Sequence, residues 1–230
     1  MRQLRFASGS IYHICNRGVE KRNIFEDDKD RFRFVYTLPI VNGGRRISNI
    51  GRDFEILKEA LLPSGSPLVE ILAFVLMPNH FHLLLRQLAE SGVSKFMQRF
   101  GTAYTNYFNI KYERSGALFQ GSFKAIEVTG DEQLYHLFFY IHAANPTDII
   151  CPGWRECGIP DYRQVVSFVN AYTWSSLSDY LGQKRFPGVT QREFLTDFIG
   201  GRARMASELE TWLRAREKNL ALIGKVSLEP

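Results

Sequence analysis

The chain holds five histidines, His13, His80, His82, His136 and His142, and only His80 and His82 stand two residues apart. They flank Phe81 in the run HFHLLLR. An extended backbone has a side-chain period of two, so a strand here puts both imidazoles on one sheet face and Phe81 on the other. Two such imidazoles can hold one divalent ion and leave positions open for phosphate oxygens. Equally, two core or surface histidines can fall two apart by chance, and the spacing alone does not separate the readings. Basic side chains gather around the same part of the sequence. Arg17, Lys21 and Arg22 follow the first apolar segment, Arg99, Lys111 and Arg114 lie along or after a long helical stretch, and Lys124 precedes AIEV. Charges of this kind supply sequence-independent, salt-sensitive affinity for phosphates, although a share of them are ordinary solvated surface charges.

The elements that must position these groups can be read from periodicity. Ile11 to Arg17 reads as a strand ended by Gly18. Asp27 can cap a helix carrying Phe32, Val35 and Tyr36, which should fail near Pro39. A Gly- and Arg-containing stretch from Asn42, a short helix over Phe54 to Leu62 and the turn PSGSP read as an excursion of about residues 42–67. Leu68 to Leu76 is a buried strand, Met77-Pro78-Asn79 a turn, and His80 to Arg86 its antiparallel neighbour. Ser94 can cap a helix to about Lys111, with Phe96, Met97, Phe100, Ala103, Tyr104, Tyr107 and Phe108 as its apolar stripe. Phe119 to Val128 is a further strand. A helix from Asp131 carries Leu134, Leu137, Phe138 and Ile141 inward and ends at Asn145-Pro146. The order β-α-β-β-α-β-α predicts an α+β fold: a ferredoxin-like split βαβ core, an antiparallel sheet with helices on one face, over residues 1–150. Residues 151–230 read as a mostly helical extension, and Met205, Leu209, Trp212 and Leu213 there should pack on the core.

Composition sets the class. Of the 230 residues 45% are hydrophobic and 23% charged, as in an ordinary globular chain. The longest apolar run, Ile71 to Met77, is far too short to span a membrane, and MRQLRFASGS has no signal core, so a cytoplasmic protein is expected. Cys15, Cys151 and Cys157 lack metal or disulfide spacing. The net charge of +5 and pI of about 9.1 favour polyanionic partners.

The run Leu76-Met77-Pro78-Asn79-His80-Phe81-His82-Leu83-Leu84 resembles the histidine–hydrophobe–histidine strand of HUH endonucleases. It is most similar to the single-tyrosine transposases of insertion sequences and the repeat-associated tyrosine transposases. The likeness extends in order through Tyr12-His13-Ile14, Asn16-Arg17-Gly18, Ile24-Phe25, Arg114, Gly116, Leu118-Phe119-Gln120-Gly121, Phe123-Lys124, Tyr140-Ile141-His142, Asn145-Pro146 and Trp174-Ser175-Ser176, covering about Ile11 to Tyr180. It implies a metal-dependent endonuclease and strand transferase that acts on single-stranded DNA beside hairpins through a covalent 5′-phosphotyrosine. His80 and His82 would hold Mg²⁺ or Mn²⁺, and Tyr140 would be the nucleophile. Arg17, Arg22, Arg114 and Lys124 would bind DNA, with no nucleotide cofactor and no membrane partner. Relatives work as monomers or homodimers. A phenol with a pKa near 10 needs an activated phosphate or a base before it attacks, and a helix tyrosine is otherwise a core residue.

Two departures stand out. Ser122 occupies a place where the family commonly has a basic residue. The third metal ligand should be a Gln or Asn four residues after the tyrosine, and here that residue is Ala144. Asn145 lies one residue later, about 140° further round an ideal helix from Tyr140. Either a one-residue bulge restores Asn145 to the site, or another group, His142 foremost by chemistry, takes its place. If neither does, the alternative is a non-catalytic protein that binds hairpins or single strands on the same fold.

Overall fold

The computed structural model describes residues 5–43, 66–215 and Asn219. The expected helix over Phe54 to Leu62 and most of the excursion lie outside them. Four strands, β1 (Ile11–Arg17), β2 (Val69–Met77), β3 (His80–Gln87) and β4 (Lys124–Val128), form one sheet in the order β2-β3-β1-β4. Every neighbouring pair is antiparallel. With α1 (Asp28–Asn42) joining β1 to β2, and α2 (Gly92–Lys111) joining β3 to β4, this is the ferredoxin-like arrangement.

The period-two alternation of β1 and β3 divides the sheet into two apolar faces. Tyr12, Ile14, Phe81, Leu83 and Leu85 pack with Phe34, Leu38, Phe96, Phe100 and Tyr104 of α1 and α2. Leu84, Val75 and Met77 face the opposite way. They meet Leu137, Phe138 and Tyr140, together with Trp154, Val169, Leu195, Met205, Leu209, Trp212 and Leu213 from the C-terminal helices. Those helices are α4 (Asn145–Ile150), α5 (Trp154–Cys157), α6 (Tyr162–Ala171), α7 (Leu177–Tyr180), α8 (Glu193–Ile199) and α9 (Arg202–Arg214), preceded by α3 (Asp131–Phe139). The extension therefore covers the second sheet face. The Trp174-Ser175-Ser176 segment closes the outer edge of β2, with Ser175 bridging Val75 and the Leu76 amide donating to the Trp174 carbonyl. A covered edge cannot recruit a foreign strand.

Several local expectations need correction. Asp27 and Asp30 form the capping box of α1, but the helix runs through Pro39 to Asn42. A proline so near the end deprives only the last turn of a bond. Helix α2 starts at Gly92, not after Ser94, and the Gln87 side chain accepts from the Val93 amide in place of a cap. Strand β4 starts only at Lys124. Phe119 makes a single bridge to Gly18, and Gly121, at φ +71°, turns the chain away before the ladder resumes. Asn145-Pro146 does not end a helix, and what happens there shapes the site.

Candidate metal and nucleophile site

Proline at 146 has no amide hydrogen, and its ring would collide with the carbonyl of residue 142 in a regular helix. One turn is widened just before it. Residues Tyr140–Ala144 are π-helical, the Asn145 amide reaches back five residues to the Tyr140 carbonyl, and α4 continues beyond. The Asn145 side-chain nitrogen donates to that same carbonyl at 2.8 Å. The same side chain is a polar neighbour of His80, where it opposes the fall of that histidine's pKa. The one-residue bulge thus brings Asn145 to the histidine pair despite Ala144.

His80 and His82 share a sheet face, with ring centroids 5.1 Å apart. His80 Nδ1 lies 2.7 Å from Asn79 Oδ1, and the Asn79 nitrogen donates to the Lys21 carbonyl at 3.2 Å. The amide orientation is thereby set, and His80 carries its proton on Nδ1. Burial pushes the His80 pKa down to about 4; Asp148 opposes this, while Arg17 and Arg155 reinforce it. His82 is fully buried, and burial, then His13, His80 and Arg155, hold it well below the usual histidine range. Both rings are therefore neutral at physiological pH, the form that ligates metals. His82 Nε2 is buried with no hydrogen-bond partner among the described residues. A lone pair left bare in the interior is costly unless a cation or donor meets it. No group of three or more His, Cys, Asp or Glu among the described residues could hold a metal. A divalent ion here would draw instead on two imidazoles and the Asn145 amide oxygen, a mixed nitrogen and oxygen set that leaves positions open for phosphate.

Tyr140 leaves α3 at the start of the π turn and lies edge-on to His82, at 5.6 Å between centroids, and to His13, at 5.9 Å. It is completely buried. The Arg155 guanidinium sits 5.5 Å from the centre of its ring, held by Asp148 through contacts of 2.6 and 3.2 Å. Trp154 also donates to Asp148 at 2.8 Å. His142 is not in the site. Its ring nitrogens lie 2.9 Å from the Phe138 carbonyl and 2.7 Å from Ser176 Oγ, which explains the Trp-Ser-Ser segment as a structural partner of this helix. Tyr135 bonds Glu208, and His136 accepts from Trp212.

The basic residues sort by place. Arg17 pairs with His80 in the β1–β3 register and donates to Gln120 at 2.9 Å. The turn behind it is tied to the histidine hairpin, since the Gly18 and Ile24 amides donate to the carbonyls of Asn79 and Pro78. Arg22 stands close enough to Arg114 that Arg114, already penalised by burial, is pushed further down by its charge. Lys124 is opposite Cys15, which is opposite His82. It lies in the same row of the same face, about 10 Å away across two strand spacings, and is exposed. Lys111 is a different case: it binds Asp27 at 2.8 Å and the buried Asp30 at 2.7 Å. Burial works against its charge, but those carboxylates outweigh it and hold its pKa above the usual lysine value. Lys111 is a structural cation. Sequence reasoning missed Arg155 and Asp148, which no motif marks, and Asn79, whose place beside His80 was the only signal.

The family model described as "Transposase IS200 like" matches residues 55–144. The match takes in the His80–His82 strand and Tyr140 and stops one residue short of Asn145. A solved structure of a REP-associated tyrosine transposase bound to a REP hairpin is 12% identical to this chain. It matches over 84% of this chain and 92% of its own, with a TM-score of 0.45. No curated protein matches. No helix among the described residues, in the transposase-like segment or elsewhere, is long and apolar enough to cross a membrane.

Proposed function

We propose that the protein is a metal-dependent single-stranded DNA endonuclease and strand transferase that works beside hairpins through a 5′-phosphotyrosine on Tyr140. The transposase-family match supports the class. The observation that carries the chemistry is the π turn, which sets Asn145 against His80 while Tyr140 stays against His82.

His80, His82 and Asn145 would hold Mg²⁺ or Mn²⁺, which supplies Lewis-acid neutralisation of charge on the phosphoryl oxygens. The Tyr140 oxygen bonds to phosphorus while the bond from phosphorus to the 3′ oxygen breaks. The phenolic proton passes through water admitted with the DNA to the leaving 3′ oxygen, and the 5′ end remains on tyrosine. One phosphoester replaces another, so a free 3′-hydroxyl can reverse the step on a second strand without a nucleotide cofactor. Arg17, Arg22, Arg114 and Lys124 hold backbone phosphates and set the strand's position rather than its sequence.

A second reading, hairpin binding without cleavage, draws on the complete burial of Tyr140 beneath Arg155. A detergent-gel assay with labelled single-stranded hairpin DNA from the flanks of the gene separates the two. The expected result is an adduct that needs Mn²⁺ and disappears in Tyr140→Phe and His80→Ala. Tight binding with no adduct in Mn²⁺ would favour the binding protein, and cleavage persisting in Tyr140→Phe would make water the nucleophile.

A further inference from the structure

His13 belongs to neither the ligand set nor the nucleophile, yet it is fully buried between them. Its ring lies edge to edge with that of His82, the centroids 5.0 Å apart and the planes inclined by only 23°. His13 Nε2 lies 2.9 Å from His82 Nδ1. One of these nitrogens must carry the shared proton. Were His13 the donor, neutral His82 would bear its own proton on the otherwise unpartnered Nε2 and could not ligate a cation there. With the proton on His82 Nδ1, its Nε2 presents a lone pair instead. His80 is handled in the same way by Asn79, whose Oδ1 accepts a hydrogen bond from its Nδ1–H. Each imidazole of the pair is thus pinned at Nδ1 by a neighbouring acceptor, one an amide and the other a third imidazole. Partners of this kind fix the tautomer and orientation of metal-binding histidines.

We propose that His13 is a positioning residue: it accepts a hydrogen bond from the Nδ1–H of His82 and locks that ring as an Nε2 ligand, and its edge against Tyr140 sets the ligand's place relative to the nucleophile. This rests on the metal-site reading given above. Its position in β1, opposite Leu84 and on the His82 face, makes the contact a consequence of strand register.

Two measurements on the full chain test it. In the metal-free protein, long-range proton–nitrogen NMR correlations should show His82 protonated at Nδ1; protonation at Nε2 would overturn the proposal, and this readout needs no variant. Mn²⁺ binding, followed by electron paramagnetic resonance, should weaken about 10- to 100-fold in His13→Phe, which keeps a ring but no acceptor. His13→Gln, which restores an acceptor oxygen, should bind close to wild type. Wild-type affinity in His13→Phe, with binding abolished in His82→Ala, would overturn the role of His13 alone. Wild-type affinity in His82→Ala would overturn the metal site and this proposal together.

Discussion

His80 is half-buried and His142 fully buried, and their neighbours give them different work. His80 is held at Nδ1 by Asn79 and meets the Asn145 amide, whereas both nitrogens of His142 are engaged by Phe138 and Ser176. Asn145→Ala should therefore weaken Mn²⁺ binding by about tenfold or more, measured by calorimetry, while His142→Gln should leave it unchanged. Equal losses in the two variants would remove Asn145 from the ligand set. The histidine pair was legible in the sequence because a period of two needs only a strand. Asn145 was legible only as one of two alternatives, since a helical position is fixed by the turns before it and one widened turn rotates everything after it. Arg155 gave no signal, because its approach to Tyr140 depends on how α5 returns to the sheet.

Helices and strands announced themselves where local chemistry decided them and misled where a distant group intervened. The Asp27–Asp30 box was readable from spacing alone. The start of α2 was not, since Gln87, on the preceding strand, supplies the capping oxygen. Two predictions belong here. Deleting Ala144 should turn the π turn into a regular one and leave the asparagine four residues after Tyr140, so Mn²⁺ binding should survive in a chain that folds; its loss in a folded chain would detach the site from this turn. Lys111→Met would strand the buried Asp30 carboxylate, which keeps bonds from Tyr107 and Tyr112 but loses its cation. A loss of about 3 kcal/mol in urea unfolding is expected, and a change below about 0.5 kcal/mol would show that the tyrosines suffice.

At the scale of the whole molecule, two cores share one sheet and the face carrying His82 is sealed by helices from the C-terminal part. The strand order was foreseeable from the succession of elements; the sealing was not, because the stripe around Met205 and Trp212 says that a helix packs without saying where. Burial of neutral histidines makes this body sensitive to acid. Burial brings the His142 pKa down to about 3, with only the Phe138 carbonyl opposing. Between pH 6.5 and that value the unfolded chain takes up a proton that the folded chain refuses. Stability is thus full above pH 6.5 and falls as pH drops, by about 1.4 kcal/mol per unit for this residue. Denaturation with chelator at pH 5 and pH 7 should show the fall, and His142→Gln should flatten it by one proton's worth; an unchanged slope would locate the acid sensitivity elsewhere.

The widened turn also bears on how copies of such a gene would be sorted into intact and decayed. A census scored column by column finds alanine where an amide is wanted and enters this chain among the decayed. The amide stands one letter later in the string, beside the same imidazole, so a census scored by neighbourhood would count the copy as intact.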